Sequence, residues 1–402
     1  MNAGLRSKFP ALSRIENGKP LIYMDGPAGV QVPQSVIDAV SGYYSRSNAN
    51  THGAFLTSRE TDATMDHARL RMAEFLGAEG PECVSFGQNM TTLNFMLSRA
   101  IARVLQPGDE ILITQLDHEG NRGPWLSLRE RGIVVREVRL LPEGVLDYED
   151  FAQKINERTR LVAMGYSSNI LGTVNDIALV RKLSHAAGAW LLIDAVHAAP
   201  HFSLDVQAIG CDFLLCSAYK FYGPHVGILY SRPGLLDRLQ PDRLRTAYQH
   251  APYSIETGTL NHAAIAGVGA AVDFIATLGE GETTREQLVS AMHLLQRHEW
   301  ELGAHLYNGL AQLPGVVVHG VPFTTVLRAP TLSLSVAGLR AEELCTRLAR
   351  ENVFAWDGHF YAIRATEVLG LLEQGGVTRL GISAYTTREE VDTVLQVVEA
   401  VI

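Results

Sequence analysis

The sequence predicts an α/β protein, a large unit on a mostly parallel central sheet followed by a smaller α+β unit. Three observations predict it. Between about residues 80 and 230, apolar runs of strand length alternate with helical patterns, the sign of a parallel sheet covered on both faces. A long helical pattern from Thr284 to Leu313 then leads into shorter strands and helices. Several strand candidates end in polar residues, and open α/β sheets collect ligands at the carboxyl ends of their strands.

In chain order the strand candidates of the large unit are "ECVSFG", "DEILIT", "IVVREVRL", "RLVAMGY", "AWLLIDAV", "CDFLLCS" and "VGILYS". Helices such as "TTLNFMLSRAIARVL" and "DIALVRKLSHAAG" lie between them, the second closing on Gly188 as a C-terminal stop. Beyond the long helix, "TLSLSVAG" and "VTRLGIS" read as strands, and "RAEELCTRLAREN" and "TREEVDTVLQVVEAV" as helices. The expected division is residues 26–275 for the large unit and 276–402 for the small one, with residues 1–25 as an N-terminal segment packing with the small unit.

Of the 402 residues, 47% are hydrophobic and 19% charged, which is enough apolar material for two cores in a water-soluble chain. A net charge of −9, with no block of lysine and arginine, argues against nucleic acid or an anionic membrane as partner. No stretch approaches the roughly 18 apolar residues of a membrane span, and the N-terminus lacks the apolar core of a signal peptide, so a cytoplasmic location is expected. Cys83, Cys211, Cys216 and Cys345 fall at no zinc spacing and read as reduced core residues.

Four segments place polar residues at strand ends. In "SFGQNMTTLNF" a strand turns into a helix start, where Asn89, Met90 and Thr91 either offer donors to an anion or simply cap the helix. In "LDHEGN", His118 either stacks on a ring and shuttles a proton or is a loop histidine. In "AWLLIDAVHAAPH", Asp194 ends an apolar run, where a carboxylate needs a cation or strong donor such as a protonated pyridine nitrogen; loop capping, or a metal shared with His197 and His201, are the other readings. In "SAYKFYGPH", Lys220 follows a buried strand, so its amine either deprotonates easily and forms an imine or snorkels to solvent, while Ser217 can reach an anion. An anion cradle, an aromatic stacker, a buried carboxylate and a strand-end lysine together suit pyridoxal phosphate, and no metal is called for.

These segments, with "YMDGPAGVQVPQSVIDAV", "NANTHG", "SSNILGTVNDI", "ETGTLNH" and "RLGISAYTTREEVD", resemble the class V aminotransferase and cysteine desulfurase family of fold-type I pyridoxal-phosphate enzymes almost end to end. The resemblance implies that Lys220 is the imine lysine, Asp194 the partner of the pyridine nitrogen and His118 the stacking residue. It further implies that His197 donates to the cofactor phenolic oxygen, that Asn169 lies near cofactor and substrate, and that Ser217, Asn89 and Met90 meet the phosphate. Thr259, with Gly258, would reach the phosphate of a neighbouring subunit, which implies a homodimer with active sites completed across the interface. Arg379 would hold the substrate carboxylate.

The chain departs from this pattern in "WDGHFYAIRATEVLG". Related desulfurases carry a cysteine after a glycine-histidine pair, where this chain has Tyr361, and commonly an arginine where it has Trp356. Tyr361 either acts as an acid toward substrate or only packs. With no persulfide-forming thiolate, the expected reaction is carbon–sulfur lyase chemistry on cysteine, cystine or a cysteine conjugate; the alternatives are an aminotransferase, an epimerase or a silent scaffold. The substrate side chain is expected near residues 50–59 and 356–364, with Arg59 and Arg364 as candidates for a second acid group.

Overall fold

The computed structural model describes residues 3–324 and 327–402; Met1 and Asn2 of the expected N-terminal segment lie outside the described residues. The seven strand candidates of the large unit form one sheet: β1 (Val84–Gly87), β2 (Glu110–Thr114), β3 (Val134–Val138), β4 (Thr159–Gly165), β5 (Trp190–Asp194), β6 (Phe213–Ser217) and β7 (Gly227–Ser231), in the spatial order β1-β7-β6-β5-β4-β2-β3. β3 to β6 and β2 are mutually parallel, whereas β7 runs antiparallel to both β6 and β1. The reason is length. Residues 218–226 between β6 and β7 are too few for a parallel crossover, which takes a dozen or more.

Successive residues of the central strands bury on opposite faces. In β2, Leu112 packs into one apolar cluster with Val162, Leu191, Ile193 and Leu214, while Ile111 and Ile113 pack into another with Leu161, Leu192 and Leu215. This is why the strands read as continuous apolar runs rather than alternating ones.

The long helix spans Thr284–Gln312 and starts at a capping box of Thr283 and Glu286. After it comes an antiparallel sheet of β8 (Val316–His319), β9 (Thr331–Val336), β10 (Trp356–Gly358) and β11 (Val377–Gly381), in the order β8-β9-β11-β10. Its own core includes Leu332, Leu334, Leu380 and Leu306. The short strand Ile22–Tyr23 pairs in parallel with Val353–Phe354, which ties the N-terminal segment to this part of the chain.

The two sheets meet at the loop after β4. Three consecutive carbonyls there, of Asn169, Ile170 and Leu171, accept hydrogen bonds from Arg379, Ser333 and Arg328. Among the described residues no helix is long and apolar enough to cross a membrane.

Candidate active site

The carboxyl ends of β1, β2, β4, β5 and β6 open into one cavity of about 1010 Å³. It brings together Asn89, Met90, His118, Asn169, Asp194, His197, Ser217, Lys220, Tyr361 and Arg379. Thr259 is the exception. It lies on an exposed segment and is not part of the cavity wall within one chain.

Lys220 follows β6 on a short 3₁₀ turn, and its buried Nζ donates to the carbonyl of Pro27. Burial, then the charge of Arg379, lower its pKa to about 7, against a smaller opposing pull from Asp194. Asp194 ends β5 and is also buried, with Oδ1 accepting from the Val196 amide at 2.9 Å. Burial raises its pKa to about 7. The snorkelling alternative for the lysine therefore fails, because the side chain stays in the cavity.

His118 is the N-cap of the helix Glu119–Leu126, its Nδ1 accepting from the Gly120 amide at 2.8 Å. Burial, aided by the charges of Lys220 and Arg379, brings its pKa down to about 4, so the ring is neutral at pH 7. Next to it, Asp117 directs Oδ1 to the Gly165 amide at 2.7 Å, while its buried Oδ2 has no hydrogen-bond partner.

At the start of the helix Met90–Ile101, the Asn89 side chain caps by accepting from the Thr92 amide at 2.9 Å. The Met90 amide points at Ser217 Oγ, 3.1 Å away, so the serine and the helix start share one corner of the cavity. β7 enters beside this corner through Gly227, where a Cβ would sit 2.3 Å from the Asn89 backbone. Only glycine permits that approach.

His197 is buried, its Nε2 paired with Thr331 Oγ1 at 2.9 Å, and His201 places Nδ1 2.8 Å from Glu299. Among the described residues no group of three or more His, Cys, Asp or Glu is arranged to hold a metal ion.

Arg379 on β11 is buried, donates to the Asn169 carbonyl at 2.8 Å and stacks on the Phe360 ring at 3.8 Å. Burial lowers its pKa to about 9. Among the described residues no carboxylate pairs with it at ion-pair distance, an arrangement that suits a carboxylate brought by a ligand. Asn169 in turn donates from Nδ2 to the Phe360 carbonyl at 2.8 Å. Tyr361 stands at the cavity mouth with its ring 5.4 Å from that of His118.

Sequence reasoning missed Thr331 and Pro27, and singled out the segment with Asp117 without giving that residue a role. Asp117 carried a signal, since it precedes His118 at the end of β2; Thr331 and Pro27 lie in segments whose approach to the site nothing local announces.

The model of the aminotransferase class-V family matches residues 22–394. The chain belongs to this family. A probable cysteine desulfurase from Synechocystis sp. is 33% identical, with the match covering 100% of this chain and 95% of the relative. A cysteine desulfurase from Pectobacterium atrosepticum is 32% identical, covering 96% and 95%. Among solved structures, a cysteine desulfurase from Escherichia coli superposes with a TM-score of 0.87 at 27% identity over 100% of this chain and 98% of that one.

The class V family uses pyridoxal phosphate, and this chain is accordingly a pyridoxal-phosphate-dependent enzyme of fold type I. The residues present fit that group. A buried lysine of lowered pKa can bond its carbonyl carbon, a buried carboxylate can meet its ring nitrogen, and the start of the helix Met90–Ile101 beside Ser217 can receive its phosphate. The four cysteines, by contrast, are all buried and none lines the cavity.

Proposed function

We infer that this enzyme breaks the carbon–sulfur bond of a cysteine-derived amino acid by β-elimination, without a persulfide-forming cysteine. The placement of the cysteines carries the reading. Burial pushes the thiols of Cys83 and Cys345 up to about 12 and those of Cys211 and Cys216 higher still, so no thiolate is available at neutral pH. Tyr361 occupies the position where the resemblance calls for the reactive thiol.

Pyridoxal phosphate, when bound, stores the electron pair left as an amino acid loses its α proton. The chain's residues do the rest. Arg379 takes the substrate carboxylate in its planar fork, with Asn169 holding the adjoining loop. Lys220, whose amine burial makes easier to deprotonate, accepts the α proton and then carries it toward the departing sulfur. Asp194 would meet the ring nitrogen, whose positive charge would offset the burial that raises the carboxyl's pKa, and His118, neutral at pH 7, would offer a ring face for stacking. By the resemblance, His197 would meet the phenolic oxygen, and Asn89, Met90 and Ser217, which line the same cavity, would hold the phosphate. As the Cβ–S bond breaks its electron pair leaves with sulfur, and water converts the residual enamine to pyruvate and ammonia.

The resemblance assigns Thr259, exposed within one chain, to the partner's phosphate, so a homodimer would complete each site with it. The test of function is product analysis of the cofactor-loaded enzyme with cysteine and cystine. Pyruvate with ammonia is expected; alanine with sulfane sulfur overturns the reading, and a requirement for a keto acid transfers it to transamination.

A further inference from the structure

The loop after β10 forms the cavity mouth under backbone strain. Gly358, Phe360 and Tyr361 have φ of 114°, 51° and 57°, so two aromatic residues in succession hold a left-handed conformation that side chains disfavour. Hydrogen bonds keep them there. Asn169 Nδ2 holds the Phe360 carbonyl at 2.8 Å, the Glu119 amide holds the Tyr361 carbonyl at 2.7 Å, and the Tyr361 amide reaches His359 Nδ1 at 3.2 Å.

The result is a large ring fixed in solvent. Within one chain Tyr361 is 68% exposed and Trp356 53% exposed, yet both line the cavity. Trp356 is the cross-strand partner of Arg379, so the two side chains leave the sheet side by side, and both line the cavity. The polar groups lie deep and the two exposed rings lie at the mouth. A cysteine side chain ends at its sulfur and would leave both rings wet, whereas an aryl group continuing from that sulfur would cover them.

We propose that Trp356 and Tyr361 form an aryl-binding mouth and that the substrate is a cysteine S-conjugate carrying an aromatic or bulky apolar group on sulfur. The sulfur in this proposal rests on the lyase reading; the aryl site does not. The test therefore uses ligands without sulfur. Calorimetry on the holoenzyme compares 2-amino-5-phenylpentanoate, in which carbon replaces the sulfur of S-benzylcysteine, with 2-aminopentanoate, which lacks the ring.

The phenyl compound is expected to bind about tenfold tighter or better, and W356A and Y361A each to shrink that ratio severalfold. Equal affinities overturn the proposal. So does a ratio untouched by both substitutions, or a change of oligomeric state on W356A in place of a change in the ratio, which would assign the rings to a second copy of the chain. Pyruvate release from S-benzylcysteine is scored separately: an aryl preference without pyruvate keeps the mouth and removes the lyase, and pyruvate without an aryl preference does the reverse.

Discussion

Asn169 and Phe360 are joined by a 2.8 Å hydrogen bond from the asparagine Nδ2 to the phenylalanine carbonyl, and this bond fastens the strained mouth loop to the end of β4. Replacing the donor leaves that carbonyl without its side-chain partner. N169A should lose about 1 kcal/mol of stability and speed hydrogen exchange across residues 358–362. Exchange in that loop unchanged from wild type would show that the bond does not hold it.

Tyr361 combines a left-handed backbone with a mostly exposed side chain, so glycine there relieves strain and loses little burial. Y361G should unfold at higher temperature, by about 1 kcal/mol of added stability, while losing activity. F360G should not, because it also removes the ring stacked on Arg379. A Y361G protein no more stable than wild type would mean the loop is unstrained.

In the proposed mechanism Lys220 removes the α proton, and among the described residues no other lysine lines the cavity. K220A should reduce turnover by about 10²-fold or more. Borohydride treatment of the loaded wild type should leave the cofactor attached to the Lys220 peptide, as read by mass spectrometry. Attachment persisting in K220A would assign the role elsewhere.

Asp194 gives the apoprotein a pH signature. Its native pKa of about 7 lies above the usual carboxylate value of 3.8, so between those limits the native state keeps a proton that the unfolded chain has lost. Its contribution to stability is therefore present below about pH 4 and is lost as pH rises toward 7, by up to about 1.4 kcal/mol per unit. In urea titrations of the two apoproteins, the difference between wild type and D194N should change in that direction across pH 4 to 7. A constant difference would contradict the shifted pKa.

Thr331 is a positioning residue for His197. Its hydroxyl lies 2.9 Å from Nε2, where it can donate or accept, so the expected role is to hold the ring's orientation toward the cavity. T331V should destabilise by about 1–3 kcal/mol and also shift the pH midpoint of the bound cofactor's absorbance, with T331S restoring both. Lower stability with an unchanged midpoint would leave Thr331 a purely structural role.

Much of the site was legible because its parts sit at the ends of locally encoded elements. Asp194 terminates β5 and Ser217 terminates β6, and both are visible where an apolar run stops at a polar residue. Lys220 and His118 follow from the same reading. Asn89 was legible as two readings, helix cap or anion donor: its Oδ1 accepts from the Thr92 amide, the cap that the first reading expects. Arg379 and Asn169 came from family resemblance, since neither carries a local signal of its role.

By itself, then, the sequence determined the alternating elements, the buried central sheet and the lysine, carboxylate and histidine at its strand ends, because hydrophobic period and capping act over a few residues. Only the tertiary structure decided that β7 runs antiparallel, that from the small sheet Arg379 reaches the cavity and Thr331 reaches His197, that Thr259 stays outside the cavity within one chain, and that Tyr361 is held over the mouth. Those outcomes depend on contacts between segments far apart in the chain, whose geometry is set by how the two sheets pack and by no pattern within either segment.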